Sequence, residues 1–282
     1  MGKIIAFVNQ KGGVGKTTTC SNMSAYLAAM GKKVLLVDLD PQGNATSGFG
    51  IDKSNNTKTI YNVIDGDAAI EEVVQNTMIF GLDIVPATVD LVGAEVDLVQ
   101  MASRERVLKG IFTRLRSTYD YIMIDCPPSL GLLTVNALTA ANSIIIPIQC
   151  EFYALEGLSQ LMNTIKLVKK HLNPTLAVEG VVLTMKDSRS NLVNQVSMEI
   201  MKFFGKKVFQ NAIPRNVRLA EAPSHGLPIV LYDPSSKGAL AYMELTKELL
   251  QRCDDSYEDI TKKSTYFYNL PEELIAQTPV EP

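Results

Sequence analysis

Within the 282 residues, no stretch approaches the roughly 20 consecutive apolar residues that a membrane-spanning helix needs. A secretory leader is not expected either, because Met1-Gly2-Lys3 runs straight into a strand and a glycine-rich loop. The four cysteines, Cys20, Cys126, Cys150 and Cys253, stand far apart without metal-ligand spacing. They read as free thiols of a reduced cytoplasm. Histidine is scarce, and neither His171 nor His225 has a companion suggesting a metal site or a catalytic base. Internal repeats and dividing linkers are absent. A net charge of −3 argues against a uniformly basic nucleic-acid binder, yet charge is unevenly spread. From Lys186 to Arg218 seven Lys/Arg face two Asp/Glu, whereas Asp254 to Pro282 holds seven acids and two lysines.

What is present is apolar sequence, 46% of the chain, enough for a large core. Short Val/Ile/Leu runs alternate with longer amphipathic segments, the pattern of a mostly parallel sheet covered by helices on both faces. The runs predict strands at Ile4–Asn9, Lys33–Asp38, Leu82–Pro86, Tyr121–Asp125, Ser143–Gln149, Ala177–Met185 and Lys207–Ile213. They are continuous rather than alternating, as strands buried on both faces should be. Helices are expected at Thr17–Met30, Ser103–Ser117, Leu130–Ala141, from Leu155 to near Asn173-Pro174, Leu192–Phe204 and Lys237–Arg252. The fold expected is therefore a doubly wound α/β domain over residues 1–253, followed by an acidic, flexible tail at 254–282 in which Tyr266, Phe267 and Tyr268 could dock on the body or on a partner.

Strand, glycine-rich turn and helix succeed one another within Ile4–Met30, around Lys11-Gly12-Gly13-Val14-Gly15-Lys16-Thr17. Glycines let the backbone approach a phosphate, successive N–H groups point inward, and the helix N-terminus adds partial positive charge. Lys16 would neutralise the β- and γ-phosphates and Thr17 would set its hydroxyl on Mg²⁺. Six specified residues in seven arise by chance in a chain this long with odds on the order of 10⁻⁵. The usual pattern wants glycine where this chain has Gln10, and Lys11 stands beside it. That second cation is either a solvated side chain or, beside a triphosphate, one that reaches a phosphate of its own or of a neighbouring subunit. Asp125 closes the apolar run Tyr121-Ile122-Met123-Ile124, the Walker B arrangement for holding Mg²⁺, with Pro127 and Pro128 stiffening the loop behind it. Asp38 and Asp40 stand at the carboxyl end of the second strand, where an open α/β sheet places its ligand crevice. Helix capping is the plain alternative for them.

The run KGGVGKTTT is a deviant Walker A motif, and with VDLDPQGNATSG, DCPPSLG, CEFYALEG and IPRNVRLAEAPSHG it resembles the ParA/Soj partitioning ATPases over about Met1–Arg252. The resemblance implies a P-loop ATPase using ATP and Mg²⁺, with Lys11 through Thr18 around the phosphates. It implies that Asp40 orients or activates the attacking water, that Asp38 helps hold the Mg²⁺ water shell, and that Met185, Pro214 and Asn216 lie near the adenine. It implies further that two subunits close around two ATP molecules, Lys11 crossing to the partner's phosphates. Arg189 and Arg218 would then bind double-stranded DNA, and a ParB-like protein would stimulate hydrolysis in a cytoplasmic, nucleoid-associated cycle. No base-reading module is evident, so DNA binding should be sequence-independent and salt-sensitive. Three rivals share the loop. A MinD-like ATPase needs a basic amphipathic C-terminal helix, where this chain is acidic and proline-bearing. A nitrogenase-type iron protein needs two cluster cysteines per subunit, and an amidoligase needs a substrate pocket that the sequence does not reveal.

Overall fold

The computed structural model describes residues 1–54, 58–151, 154–187 and 189–253. The predicted acidic tail, 254–282, lies outside the described residues. Seven strands, β1 Lys3–Phe7, β2 Val34–Asp38, β3 Gln75–Asn76, β4 Leu82–Val85, β5 Tyr121–Asp125, β6 Ser143–Gln149 and β7 Ala177–Thr184, form one sheet. Its order is β3-β4-β2-β5-β1-β6-β7, parallel except for the antiparallel β3 edge. The helices are α1 Lys16–Ala29, α2 Asn44–Gly48, α3 Ile60–Asp65, α4 Leu91–Gln100, α5 Val107–Leu115, α6 Leu132–Ala140, α7 Ala154–His171, α8 Asn191–Phe204, α9 Val217–Glu221, α10 Ile229–Tyr232 and α11 Lys237–Cys253.

The strand period of two divides the core in half. Ile4, Ala6 and Val8 of the first strand region, with Leu35 and Val37 of β2, pack beneath α3 to α8. Ile5, Phe7, Val34 and Leu36 pack on the other face against α1, α2, α10 and α11. Both faces of the central strands are thus dry, which is why their sequences read as unbroken apolar runs. The doubly wound fold is as expected, and the bounds of β5 and β6 match the predicted ones to the residue.

Other segments differ from expectation. Lys207–Ile213 is not a continuous strand. Phe209 N–H donates to Val181 O (2.9 Å) and Ile213 N–H to Leu183 O (2.8 Å), but between them the Glu248 carboxylate of α11 draws off the N–H groups of Gln210 (2.9 Å) and Asn211 (3.2 Å). The helix expected from Ser103 starts only at Val107, because Ser103 is left-handed (φ 57°) and Arg106 is not helical. The sequence pattern did not identify α4 at all. Leu91, Ala94 and Leu98 face the core, but Val92, Val96 and Val99 alternate with Glu95, Asp97 and Gln100 on the outer side, so the usual helical period is blurred.

At the β7 edge, Gly180 accepts the Phe209 ring against its backbone, and a Cβ there would lie 2.3 Å from Phe209 Cε2 and 2.9 Å from Lys207 O. The Arg252 guanidinium covers the same ring at 4.0 Å from its centroid. Gly180→Ala should therefore lower the unfolding free energy by about 1–3 kcal/mol, the usual cost of overpacking. Urea denaturation measures this, and an unchanged midpoint would mean that the ring can move aside.

Candidate functional site

At the carboxyl ends of β1, β2 and β5, the loops converge on the N-terminus of α1. Gly15 caps that helix in the left-handed conformation, φ 83°, which glycine adopts without strain. Helix hydrogen bonding within α1 begins with Thr19 N–H to Gly15 O (2.9 Å). The N–H groups of Lys16, Thr17 and Thr18 in the first turn therefore have no partner within the helix and are available to an anion. The loop is held from outside by Thr184 of β7, whose hydroxyl donates to Val14 O at 2.7 Å. Lys16 is buried, its Nζ donating to Lys11 O at 3.1 Å. Burial lowers its affinity for a proton, and the Asp125 carboxylate opposes that effect.

Register sets two carboxylates side by side, since Asp38 pairs with Asp125 at the ends of β2 and β5. Both are fully buried but differently served. Asp38 Oδ2 accepts from Thr46 N–H (2.8 Å) and Oγ1–H (2.7 Å), and its Oδ1 accepts from Asp40 N–H (3.2 Å). Burial nevertheless pushes its carboxyl up to about 6. Neither oxygen of Asp125 has a hydrogen-bond partner of ordinary geometry. Burial first, and then the Asp38 charge, raise its pKa well above the carboxylate range, with Thr17 and Lys16 offsetting only part. A buried carboxylate so little compensated is suited to a cation. Among the described residues no group of three or more His, Cys, Asp or Glu could hold a metal. Asp40 is also buried, its Oδ1 accepting from Gln42 N–H at 2.9 Å in the turn that leads to α2.

A cleft of about 570 Å³ joins Gly12–Thr18 and Asp40 to the segment from Leu219 to Pro228. Beside it lies a largely apolar slot of about 410 Å³, bounded by Gly15, Thr18, Met185, Pro214, Asn216 and Tyr242 among others. The three residues expected near a base therefore share one pocket behind the phosphate loop. Met185 lines both spaces and is held at φ 50°, an uncommon conformation for a side chain of its size. The Asn216 carbonyl oxygen is already engaged, accepting from Arg218 N–H at 2.9 Å as the N-cap of α9.

Lys11 forms an ion pair with Glu151, just after β6. Arg189 and Arg218 lie on neighbouring segments, joined by the bridge between Lys186 and Pro214. Each is exposed and paired with local acids, Arg189 with Asp187 and Arg218 with Glu221 and Asp233. Glu151, Thr46, Thr184 and the 219–228 segment were missed as site residues. Thr46, Glu151 and residues 219–226 stand inside the quoted runs VDLDPQGNATSG, CEFYALEG and IPRNVRLAEAPSHG without having been given a role, and Thr184 directly precedes Met185. Cys126 is a buried thiol pushed up by desolvation, as a packed cysteine should be. His225 stacks on Tyr232, with ring centroids 5.0 Å apart.

A family model described as an AAA domain matches residues 2–178. The chain is 59% identical over 249 residues to the sporulation initiation inhibitor protein Soj of Bacillus subtilis, covering 88% of this chain and 98% of that protein. It is 56% identical over 252 residues to the chromosome partitioning protein ParA of Myxococcus xanthus, covering 89% of each. A structure described as cobyrinic acid a,c-diamide synthase from Mycobacterium smegmatis, with bound ATP analogue and magnesium, superposes with a TM-score of 0.79. It is 38% identical and covers 90% of this chain and 96% of that one.

The little-compensated carboxylate yields a prediction. Asp125→Asn should raise the melting temperature of the nucleotide-free protein by about 2–4 °C at pH 8, the effect of about 1 kcal/mol in a chain of this size. A raised carboxyl favours folding while protonated and loses that contribution as pH rises, so the gain should shrink toward pH 5. The same variant should lose stabilisation by Mg²⁺ and ATP. Calorimetric scans at both pH values test this, and equal melting of parent and variant at pH 8 would contradict it.

Proposed function

The chain belongs to the Soj/ParA family of chromosome-partitioning ATPases, and from that premise we propose that it couples ATP hydrolysis to a cycle of dimerisation and DNA binding. It is an ATP hydrolase. No helix among the described residues is long and apolar enough to cross a membrane. The observation carrying the reading is the convergence of open helix N–H groups and buried Lys16 on one cleft, with the buried Asp125 carboxylate behind it next to Thr17.

In this reading Gly12 through Thr18 wrap the phosphates, and Lys16 supplies the charge that burial has kept poorly solvated. Thr17 and Asp125 hold Mg²⁺ and Asp38 supports its water shell through an already satisfied carboxylate. The ion contributes neutralisation of the charge on the phosphate oxygens. Asp40, next to the phosphate loop, orients the attacking water. Met185, Pro214 and Asn216 form the base side, Asn216 through its amide N–H because its oxygen is engaged. Hydrolysis of this kind is mainly positioning and charge neutralisation.

Lys11 is the residue that links nucleotide to assembly. Its pair with Glu151 has to open before the lysine can reach phosphates across a dimer. Arg189 and Arg218, duplicated in that dimer, would track a DNA backbone, and a ParB-like centromere-binding protein would stimulate hydrolysis. The cycle runs in the cytoplasm on the nucleoid.

Sedimentation and DNA binding with ADP, ATP and a slowly hydrolysed analogue test the reading. Lys11→Ala should stay monomeric with ATP, and Asp40→Ala should prolong ATP-dependent DNA binding. Arg189→Glu with Arg218→Glu should abolish DNA binding while leaving the dimer intact. DNA binding indifferent to nucleotide would refute the cycle. The Lys11 and Glu151 side chains are 40% and 46% exposed, so their pair is worth no more than about 1 kcal/mol. Glu151→Gln should accordingly lower the ATP concentration for half dimerisation by up to about fivefold.

A further inference from the structure

Toward the sheet edge opposite β7 lies a surface that neither the nucleotide cleft nor the basic segment uses. Val89, Val92, Val96 and Val99 are 69%, 57%, 63% and 56% exposed. They fall at i, i+3, i+7 and i+10, on the turn that enters α4 and along the helix itself. That spacing makes one apolar stripe about 15 Å long, at 1.5 Å per residue. Leu91, Ala94 and Leu98 already seat the helix on the core, so the valines add nothing to its anchorage. Valine is also a mediocre helix former, because its branched side chain is restricted beside the preceding turn. Four of them aligned in water are better explained by a covering partner than by stability.

Charge identifies the partner. From Thr59 to Ser103 the sequence has eight Asp/Glu and no Lys or Arg. Asp90, Glu95 and Asp97 belong to α4 or its cap, and Asp65 and Asp67 stand at the end of α3. The Tyr61 hydroxyl, donating to Asp97 Oδ2 at 3.0 Å, ties the two helices together. DNA would be repelled here, and a second copy would set the same acidic face against itself.

The stripe also adjoins the catalytic machinery. Two residues beyond β4, on the way to α4, the Ala87 N–H donates to Thr46 Oγ1 at 2.9 Å, and that hydroxyl donates to Asp38 Oδ2 at 2.7 Å. Glu95 lies over Gly131 in the loop after Asp125, where a Cβ would come 2.3 Å from Glu95 Oε1. A load on α4 therefore reaches both Asp38 and the Asp125 loop within one or two contacts.

We propose that this face docks a basic amphipathic helix of the partner that stimulates hydrolysis, its apolar side along the four valines and its Lys/Arg flanks against the α3 and α4 carboxylates. The proposal rests on the reading of the chain as a partner-stimulated ATPase. Two variants of the full chain test it against the cognate ParB-like protein. Val92→Ser with Val96→Ser should weaken binding and half-maximal stimulation at least tenfold, with basal hydrolysis, ATP-dependent dimerisation and DNA binding unchanged. Asp65→Lys with Asp67→Lys should weaken binding at low salt and flatten its salt dependence. Parent-like stimulation of both variants would overturn the docking site while leaving the ATPase cycle standing. Loss of ATP-dependent dimerisation in the valine variant would overturn it too, marking the face as a self-interface. A parent that the ParB-like protein neither binds nor stimulates would remove the partner reading, and this site with it.

Discussion

The architecture depends on the burial of like charges at the ends of adjacent parallel strands. Asp38 and Asp125 are in register on β2 and β5, both shut away from water, with buried Lys16 acting electrostatically on Asp125. Asp38 is accommodated by three hydrogen bonds, whereas Asp125 has only the Thr17 side chain beside it and no bond of ordinary geometry. In the absence of a ligand neither carboxylate nor ammonium is in its preferred ionisation environment. The protein holds this unfavourable arrangement with a double-sided apolar core that fixes the strand ends. A divalent cation and a polyanion bound there would together relieve it.

Around that centre the surrounding groups are each held by partners that a ligand or a second subunit could replace. Lys11 is on Glu151, and Arg189 and Arg218 are on nearby acids. These pairs are exposed and therefore weak, so they set a low threshold rather than a barrier. The buried links are different in kind. Thr46 is bound to Asp38 and to Ala87, and Thr184 is bound to the loop at Val14. They tie the site directly to the elements beyond it.

Much of this was legible in the sequence where burial was uniform. Tyr121–Asp125 and Ser143–Gln149 are dry on both faces, and their apolar runs begin and end where the strands do. The phosphate loop was legible because its chemistry needs particular residues at fixed spacing. Lys207–Ile213 misled because the interruption comes from Glu248, some 37 residues on, whose carboxylate no local pattern announces. The α4 helix was hidden by its own outer valines, which blurred the amphipathic period. Glu151 could not be matched to Lys11 across 140 residues. Nor could a motif reveal that Asp38 is satisfied and Asp125 is not, since both read simply as acids at strand ends.

The end of β7 carries one further implication. Thr184 tethers the phosphate loop and the next residue, Met185, forms the wall between the phosphate cleft and the apolar slot. A base seated in that slot would bear on the same strand end that holds the loop in shape. Selectivity among nucleotides would then be expressed as the alignment of the phosphates, in turnover, and not only as tightness of grip. A nucleotide with the wrong ring could fill the site and still leave the chemistry out of true.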